Sequence, residues 1–295
     1  MALAVPPEKG LTAYQEGLAA YAREDYATAL QLLFPLAEQG NAGAQFNLGL
    51  MYDNGWGVPQ DDAQAAAWYR KAADQGDAGA QFYLGLMYAY GEGVAQDYAQ
   101  AVAWYRKAAD QGHAAAPFNL GLMYADGQGV AQDYVQALAY YRKAADQGSA
   151  WAQLNLGLMY DEGQGVPQDY VQAVTWYRKA AAQGDAAAQS NLGLMYSNGR
   201  GVPQDYAQAV TWYRKAAAQG YAVAQYNLGL MYSNGRGVPQ DYVQAHLWWN
   251  LAAAGSSEKA EARKDAAKNR DIVAARMTPA QIAEAQRLAR EWKPK

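Results

Sequence analysis

The chain is predicted to be all-α, a right-handed α-solenoid superhelix of stacked helix–loop–helix repeats, on three observations. The segment AQFNLGLMYDNGWGVPQDDAQAAAWYRKAADQG, residues 44–76, recurs six times at a fixed spacing of 36 residues. Gly49, Gly85, Gly121, Gly157, Gly193 and Gly229 mark one repeated position, and Gly-x-Gly pairs from Gly55/Gly57 to Gly235/Gly237 mark another, with no insertion or deletion. Each unit also carries two apolar stripes at helical spacing: Ala44, Leu48, Met51 and Tyr52, then Ala65, Trp68, Tyr69, Ala72 and Ala73. A constant period of this length marks supersecondary units that bury their apolar faces only against their neighbours.

Taken in order, residues 1–10 are expected to be disordered. Ala2-Leu3-Ala4 has the small-x-small form seen at the end of a cleaved export signal, so a periplasmic or secreted location is expected, with the cytoplasm as the alternative. Residues 11–40 read as a shorter helical hairpin. Asp25 keeps register with Asp61, but Gly17 lies 32 residues before Gly49 and the Gly-x-Gly loop is missing.

Residues 41–256 hold the six full units. Asn41, Asp77, Ser149 and Asp185 stand where their side chains cap first helices, and Asp61 with its equivalents through Asp241 where they cap second helices. Gly76 and its equivalents suit a left-handed residue after the second helix. Arg70-Lys71 and its repeats fall in last turns, complementing the helix dipole. A mid-helix glycine such as Gly49 costs about 1 kcal/mol relative to alanine. Repeating that cost makes sense only where helices approach closely, and Trp68 and its equivalents are expected to supply bulk that the alanines opposite accommodate. Pro117 replaces a glutamine in a first helical turn, where proline is tolerated best. Residues 257–295 read as a C-terminal helical cap. Asn250-Leu251 replaces the Arg-Lys pair, so the last repeat helix should be covered by this cap: a charged helix from Ser257 to Met277, then another started by Thr278-Pro279.

Composition narrows the chemistry. A net charge of −4 with 18% charged residues offers no basic face for nucleic acid. No apolar run approaches the ~20 residues needed to insert across a membrane. The absence of cysteine excludes disulfides, zinc–thiolate sites and thiol catalysis. His113 and His246 are too far apart in sequence to suggest a metal or proton-relay cluster. His113, at a helix start, is expected to be a cap or solvent-exposed; His246 replaces Val or Leu and is expected to pack at the cap interface. Gly-x-Gly lacks a third glycine at dinucleotide spacing and follows a helix, so it reads as a linker. No cofactor and no metal are expected.

Three motifs carry a resemblance. Ala-x-x-x-Leu-Gly-x-x-Tyr, Gly-x-Gly-Val-x-x-Asp and Ala-x-x-Trp-Tyr-x-Lys-Ala-Ala-x-x-Gly, over residues 41–255, resemble the Sel1-like repeat, the 36-residue branch of the tetratricopeptide-type α-solenoids. Residues 11–40 resemble a tetratricopeptide-style hairpin. The resemblance implies a non-catalytic bacterial adaptor or scaffold, most simply a monomer, that binds a protein segment or peptide in a groove lined by first helices. In that family an Asn before Leu-Gly often holds the backbone of a bound peptide, since an amide both donates and accepts. Here this implies Asn47, Asn119, Asn155, Asn191 and Asn227, with Tyr83 in the remaining unit. One residue earlier come Phe46, Phe82 and Phe118; Tyr90 and Asp126 share another groove position, and Trp151 a third.

The hot spot is expected among Phe82, Tyr83, Tyr90, Phe118, Asn119, Asp126 and Trp151, suiting a segment with apolar and basic side chains. The alternative roles are structural: asparagines bonding a neighbouring helix, phenylalanines packing between repeats, Asp126 as a solvated helix end. Two further function classes stand beside the adaptor: self-association into a structural oligomer, and β-lactam binding or hydrolysis as implied by some disulfide-bearing relatives. Ser256-Ser257-Glu258-Lys259 contains a Ser-x-x-Lys string, but the companion Ser-Asp-Asn and Lys-Thr-Gly strings are missing.

Overall fold

The computed structural model describes the backbone of residues 7–255 and 260–294, and side-chain surroundings for 13–255 and 263–294. The described residues form sixteen α-helices and no strand, packed as consecutive pairs. Their contacts divide the chain into two units, residues 1–147 and 148–295. The first holds α1 (Pro7–Ala22) with α2 (Tyr26–Glu38), α3 (Ala42–Asn54) with α4 (Asp62–Asp74), α5 (Ala78–Tyr90) with α6 (Tyr98–Asp110), and α7 (Ala116–Asp126) with α8 (Tyr134–Asp146). The second holds α9 (Ala150–Glu162) with α10 (Tyr170–Ala182), α11 (Ala186–Asn198) with α12 (Tyr206–Ala218), α13 (Ala222–Asn234) with α14 (Tyr242–Ala254), then α15 (Ala260–Ala274) and α16 (Pro279–Glu291). Pro7–Gly10, placed by sequence in a disordered segment, lie in α1; residues 1–6 are outside the described residues. No described helix is long and apolar enough to cross a membrane.

The helix starts follow their caps. The side chains of Asn41, Asp77, Ser149 and Asp185 accept from the backbone N–H three residues on, at 2.7–3.3 Å. Asp61, Asp97, Asp133, Asp169, Asp205 and Asp241 do the same for α4, α6, α8, α10, α12 and α14. Each such bond satisfies an otherwise free helical donor and stabilises by about 1 kcal/mol.

Within each pair the helices approach at the mid-helix glycine, and the bulk over it is the tyrosine that follows the tryptophan position. A Cβ on Gly85 would lie 2.6 Å from a Tyr105 ring carbon, and Tyr69, Tyr141, Tyr177 and Tyr213 lie over their glycines in the same way. Trp249 takes that place over Gly229, donating its indole N–H to Tyr226 O at 3.1 Å. Trp68 instead faces the preceding pair, edge-on to Phe34 at 6.0 Å. The lysine three residues on sits over each indole: Lys71 over Trp68 at 3.6 Å, Lys107 over Trp104 and Lys179 over Trp176 at 3.8 Å, Lys215 over Trp212 at 4.2 Å.

Successive pairs are joined at three levels. A buried glutamine of the first helix donates to a carbonyl of the preceding helix: Gln45 to Ala37 O at 2.9 Å, Gln81 to Ala73 O at 3.1 Å, Gln189 to Ala181 O and Gln225 to Ala217 O at 3.3 Å. Its own carbonyl accepts from the glutamine ending the second helix, as in Gln75 to Gln45 and Gln111 to Gln81, both 2.7 Å. Satisfied in this way, the buried amide fixes the register of the stack rather than costing stability. Next, the arginine of each Arg-Lys pair donates to a tyrosine hydroxyl of the following first helix: Arg70 to Tyr88, Arg106 to Tyr124, Arg178 to Tyr196, Arg214 to Tyr232. Finally, the second glycine of the Gly-x-Gly loop packs on the backbone at the start of the preceding second helix, Gly93 against Asp62 and Gly129 against Tyr98. The loop is thus a docking contact as well as a linker.

Pro117 breaks this pattern in a readable way. Without the glutamine amide, the Ala109 carbonyl accepts instead from Lys143 Nζ at 2.9 Å. Tyr140, in the tryptophan position, stacks on Tyr124 at 5.5 Å. Helix α7 has 11 residues where the other first helices of full repeats have 13, and Ala115 precedes it with no side-chain cap. His113 is therefore not a cap, nor is it exposed: it stacks on Phe82 at 4.3 Å.

At the C-terminal end, Ala266 and Val273 of α15 pack against Ala245, Trp249 and Ala252 of α14. Arg270 donates to Asn250 Oδ1 at 3.2 Å, which accounts for Asn250 standing where repeats carry arginine. Thr278 and Gln281 form a capping box at the start of α16. His246 is buried near Arg270 and Asp271, and desolvation, reinforced by Arg270, holds its pKa below the ordinary 6.5. As pH falls through about 6.5, the unfolded chain binds the proton first, so the folded state loses stability. His246→Leu, the residue type of other repeats, should therefore flatten the fall in melting temperature between about pH 7.5 and about pH 5.5. Identical profiles for the two proteins would show that His246 does not carry this effect.

Candidate protein-binding face

The first helices α3, α5, α7, α9, α11 and α13 contain no lysine or arginine; their charged residues are Asp53, Asp126, Asp161 and Glu162. The five Arg-Lys pairs of the repeats, from Arg70-Lys71 to Arg214-Lys215, lie on second helices.

In the N-terminal unit ring contacts recur across this face. Phe46 touches Tyr69 at 5.9 Å and Tyr83 at 5.8 Å, and Tyr83 stacks on Tyr69 at 5.3 Å. Phe82 meets Tyr83 and Tyr105, both at 5.8 Å, besides His113. Phe118 lies 5.9 Å from Tyr141. The three phenylalanines are half-buried on the tyrosine of their own pair, so packing and surface roles coincide in them. Tyr90 is 67% exposed and Asp126 is exposed at the end of α7.

Three of the asparagines bond within their own helices, and Asn191 reaches a neighbouring helix. Asn47, Asn119 and Asn155 donate Nδ2 to the carbonyl four residues back in their own helices, Gly43, Ala115 and Trp151, at 2.7, 3.3 and 2.8 Å. Asn47 is nearly closed off at 8% exposure, whereas Asn119, Asn155, Asn191 and Asn227 remain partly open. In the C-terminal unit Asn191 reaches the hydroxyl of Tyr177, and Trp151 is 66% exposed. The expected cluster is therefore distributed: Phe82, Tyr83, Tyr90, Phe118, Asn119 and Asp126 belong to one unit, Trp151, Asn155, Asn191 and Asn227 to the other.

Sequence reasoning did not single out Asp53. The Tyr69 hydroxyl, running across Gly49, donates to Asp53 Oδ2 at 3.1 Å, and Tyr177 repeats the bond to Asp161 Oδ2 at 3.3 Å. Burial pushes both carboxyls above the usual aspartate range. The only signal in the sequence was that position 53, like position 54 beside it, varies between repeats. Ser256–Lys259, carrying the Ser-x-x-Lys string, lies outside the described residues.

The Sel1 repeat model matches seven consecutive segments: 10–41, 42–77, 78–113, 114–149, 152–185, 186–221 and 222–257. The chain belongs to the Sel1 repeat family. Its shortened first hairpin is matched as a repeat of the same family. A Sel1 repeat protein from Oxalobacter formigenes is 37% identical, with a TM-score of 0.73 over 81% of this chain and 96% of that one. The protective antigen c5321 of uropathogenic Escherichia coli, which displays an SLR fold, is 29% identical, with a TM-score of 0.54 over 96% of this chain and 84% of that one. The APC/C hetero-tetramer Cut9–Hcn1 shares the fold alone, at 15% identity and a TM-score of 0.52 over 84% of this chain and 48% of that one. No curated protein matches the chain. Sel1 and tetratricopeptide-like solenoids commonly serve as protein-interaction scaffolds, and the Sel1 family is generally non-enzymatic.

Proposed function

We propose that this Sel1 repeat protein is a non-catalytic scaffold that holds an extended protein segment against its first helices. One observation carries the reading: the face is built from aromatic rings, asparagine amides and carboxylates without a single cation, while the Arg-Lys pairs of the repeats are engaged on the second helices. Aromatic surface supplies contact area at low conformational cost, and partly open amides suit a peptide backbone of any sequence. Positions that join the pairs hardly change between repeats, whereas the exposed Asn54, Tyr90, Asp126, Glu162, Asn198 and Asn234 show that the face does. A duplicated packing element needs constancy; a face fitted to a partner does not.

The double variant Tyr90→Ala/Asn119→Ala tests this. Both side chains lie outside the inter-pair contacts, so helicity and melting should stay within about 0.5 kcal/mol of the parent. Capture of partner from source-cell extract should fall at least about tenfold. Unchanged capture would place binding on another surface, and a collapse in melting would make these residues structural.

A further inference from the structure

The geometry points to a cation subsite on the first-helix face of the N-terminal unit, where Asp53 and the ring of Tyr83, both in contact with Tyr69, take an arginine or lysine side chain of the held segment. The inference rests on the segment-binding reading and names the chemistry of the segment.

Asp53 is half-buried, with one carboxylate oxygen on the Tyr69 hydroxyl. Burial holds its pKa above the usual aspartate range, and the charge of Asp62 adds to that rise. The ion pairs among the described residues, Arg270–Asp271 in α15 and Arg287 with Glu284 and Glu291 in α16, do not involve Asp53. A desolvated carboxylate facing a second acid is an unfavourable arrangement that an incoming cation relieves. The surroundings suit one. Tyr83 stacks on Tyr69 at 5.3 Å, and the Tyr69 hydroxyl holds Asp53. Ring faces beside a carboxylate attract ammonium and guanidinium groups, and this chain uses the same pairing for Lys71 on Trp68.

The C-terminal unit supplies an internal contrast. Asp161 and Tyr177 stand three repeats on from Asp53 and Tyr69 and make the same hydrogen bond. There, however, Arg200 acts on Asp161 and lowers its pKa against the effect of burial, and Asn191 replaces the ring of Tyr83. The residue three repeats before Arg200 is Glu92. One Asp–Tyr pair thus carries its own cation, and the other has an acid at the matching position in sequence.

The test uses ten-residue probe peptides that differ only in a central residue, Arg, Lys, Gln or Glu, between identical apolar flanks. Binding is measured to the intact protein, Asp53→Asn and Asp161→Asn. Asparagine keeps an acceptor for the Tyr69 hydroxyl, and melting curves check that each variant folds. The intact protein should prefer the Arg and Lys probes over Gln by roughly tenfold, Asp53→Asn should erase the preference, and Asp161→Asn should retain it. Equal binding of all four probes to the intact protein, or a preference surviving in Asp53→Asn, overturns the subsite and leaves the segment-binding reading standing. If no probe binds, both fall.

Discussion

Gly157→Leu is expected to destabilise the C-terminal unit by about 3 kcal/mol or more, and even Gly157→Ala should destabilise it by roughly 1–3 kcal/mol. Helix propensity predicts the opposite sign for alanine, a gain of about 1 kcal/mol in mid-helix. Packing decides the outcome. Any Cβ on Gly157 would overlap the ring of Tyr177, which is fully buried and held at its hydroxyl by Asp161. The ring cannot swing aside without losing that bond and its core contacts. Equilibrium unfolding followed by circular dichroism reads the sign directly, and a more stable alanine variant would refute the close approach.

Gly93→Ala should be comparably severe for the joint between successive pairs. Gly93 has φ +66°, and a Cβ there would run into the backbone carbonyl of Asp62, which has no rotamer to yield. Gly91 in the same loop is a built-in comparison. Its φ of +75° is equally left-handed, but its nearest obstacle is the Gln96 side chain at 3.2 Å. Gly91→Ala should therefore cost about 1–2 kcal/mol for the left-handed backbone alone, and Gly93→Ala at least about 3 kcal/mol. Hydrogen exchange across α4 and α5 should show faster opening only in the Gly93 variant. Equal effects of the two would mean that the loop is a mere linker.

The periodicity made the architecture legible because each repeat solves one packing problem in the same way. Caps, hairpins and the two closing helices could be placed from Asn41, Asp61 and Thr278-Pro279. What the sequence concealed was which of two adjacent aromatics fills the gap over the glycine. Trp68 and Tyr69 both fall on the apolar stripe, and a helical period cannot separate neighbours that point to different partners. Asp53 was hidden for a related reason: its partner, Tyr69, lies on another helix and looked like core. His113 was misplaced because Pro117 delays α7, a backbone effect that spacing alone does not carry. The asparagines were located correctly along their helices, but their bonds to the carbonyl four residues back are invisible to a pattern of types.

The most direct measurement of the scaffold reading is site-specific photo-crosslinking. A photoreactive side chain is placed in turn at Tyr90 and Trp151 on first helices and at Val135 and Val171 on second helices, all exposed, and each protein is exposed to source-cell extract. A scaffold of this kind should give one shared partner crosslinked from Tyr90 and Trp151, through a segment containing arginine or lysine, and none from Val135 or Val171. Crosslinks confined to the second-helix positions would contradict it.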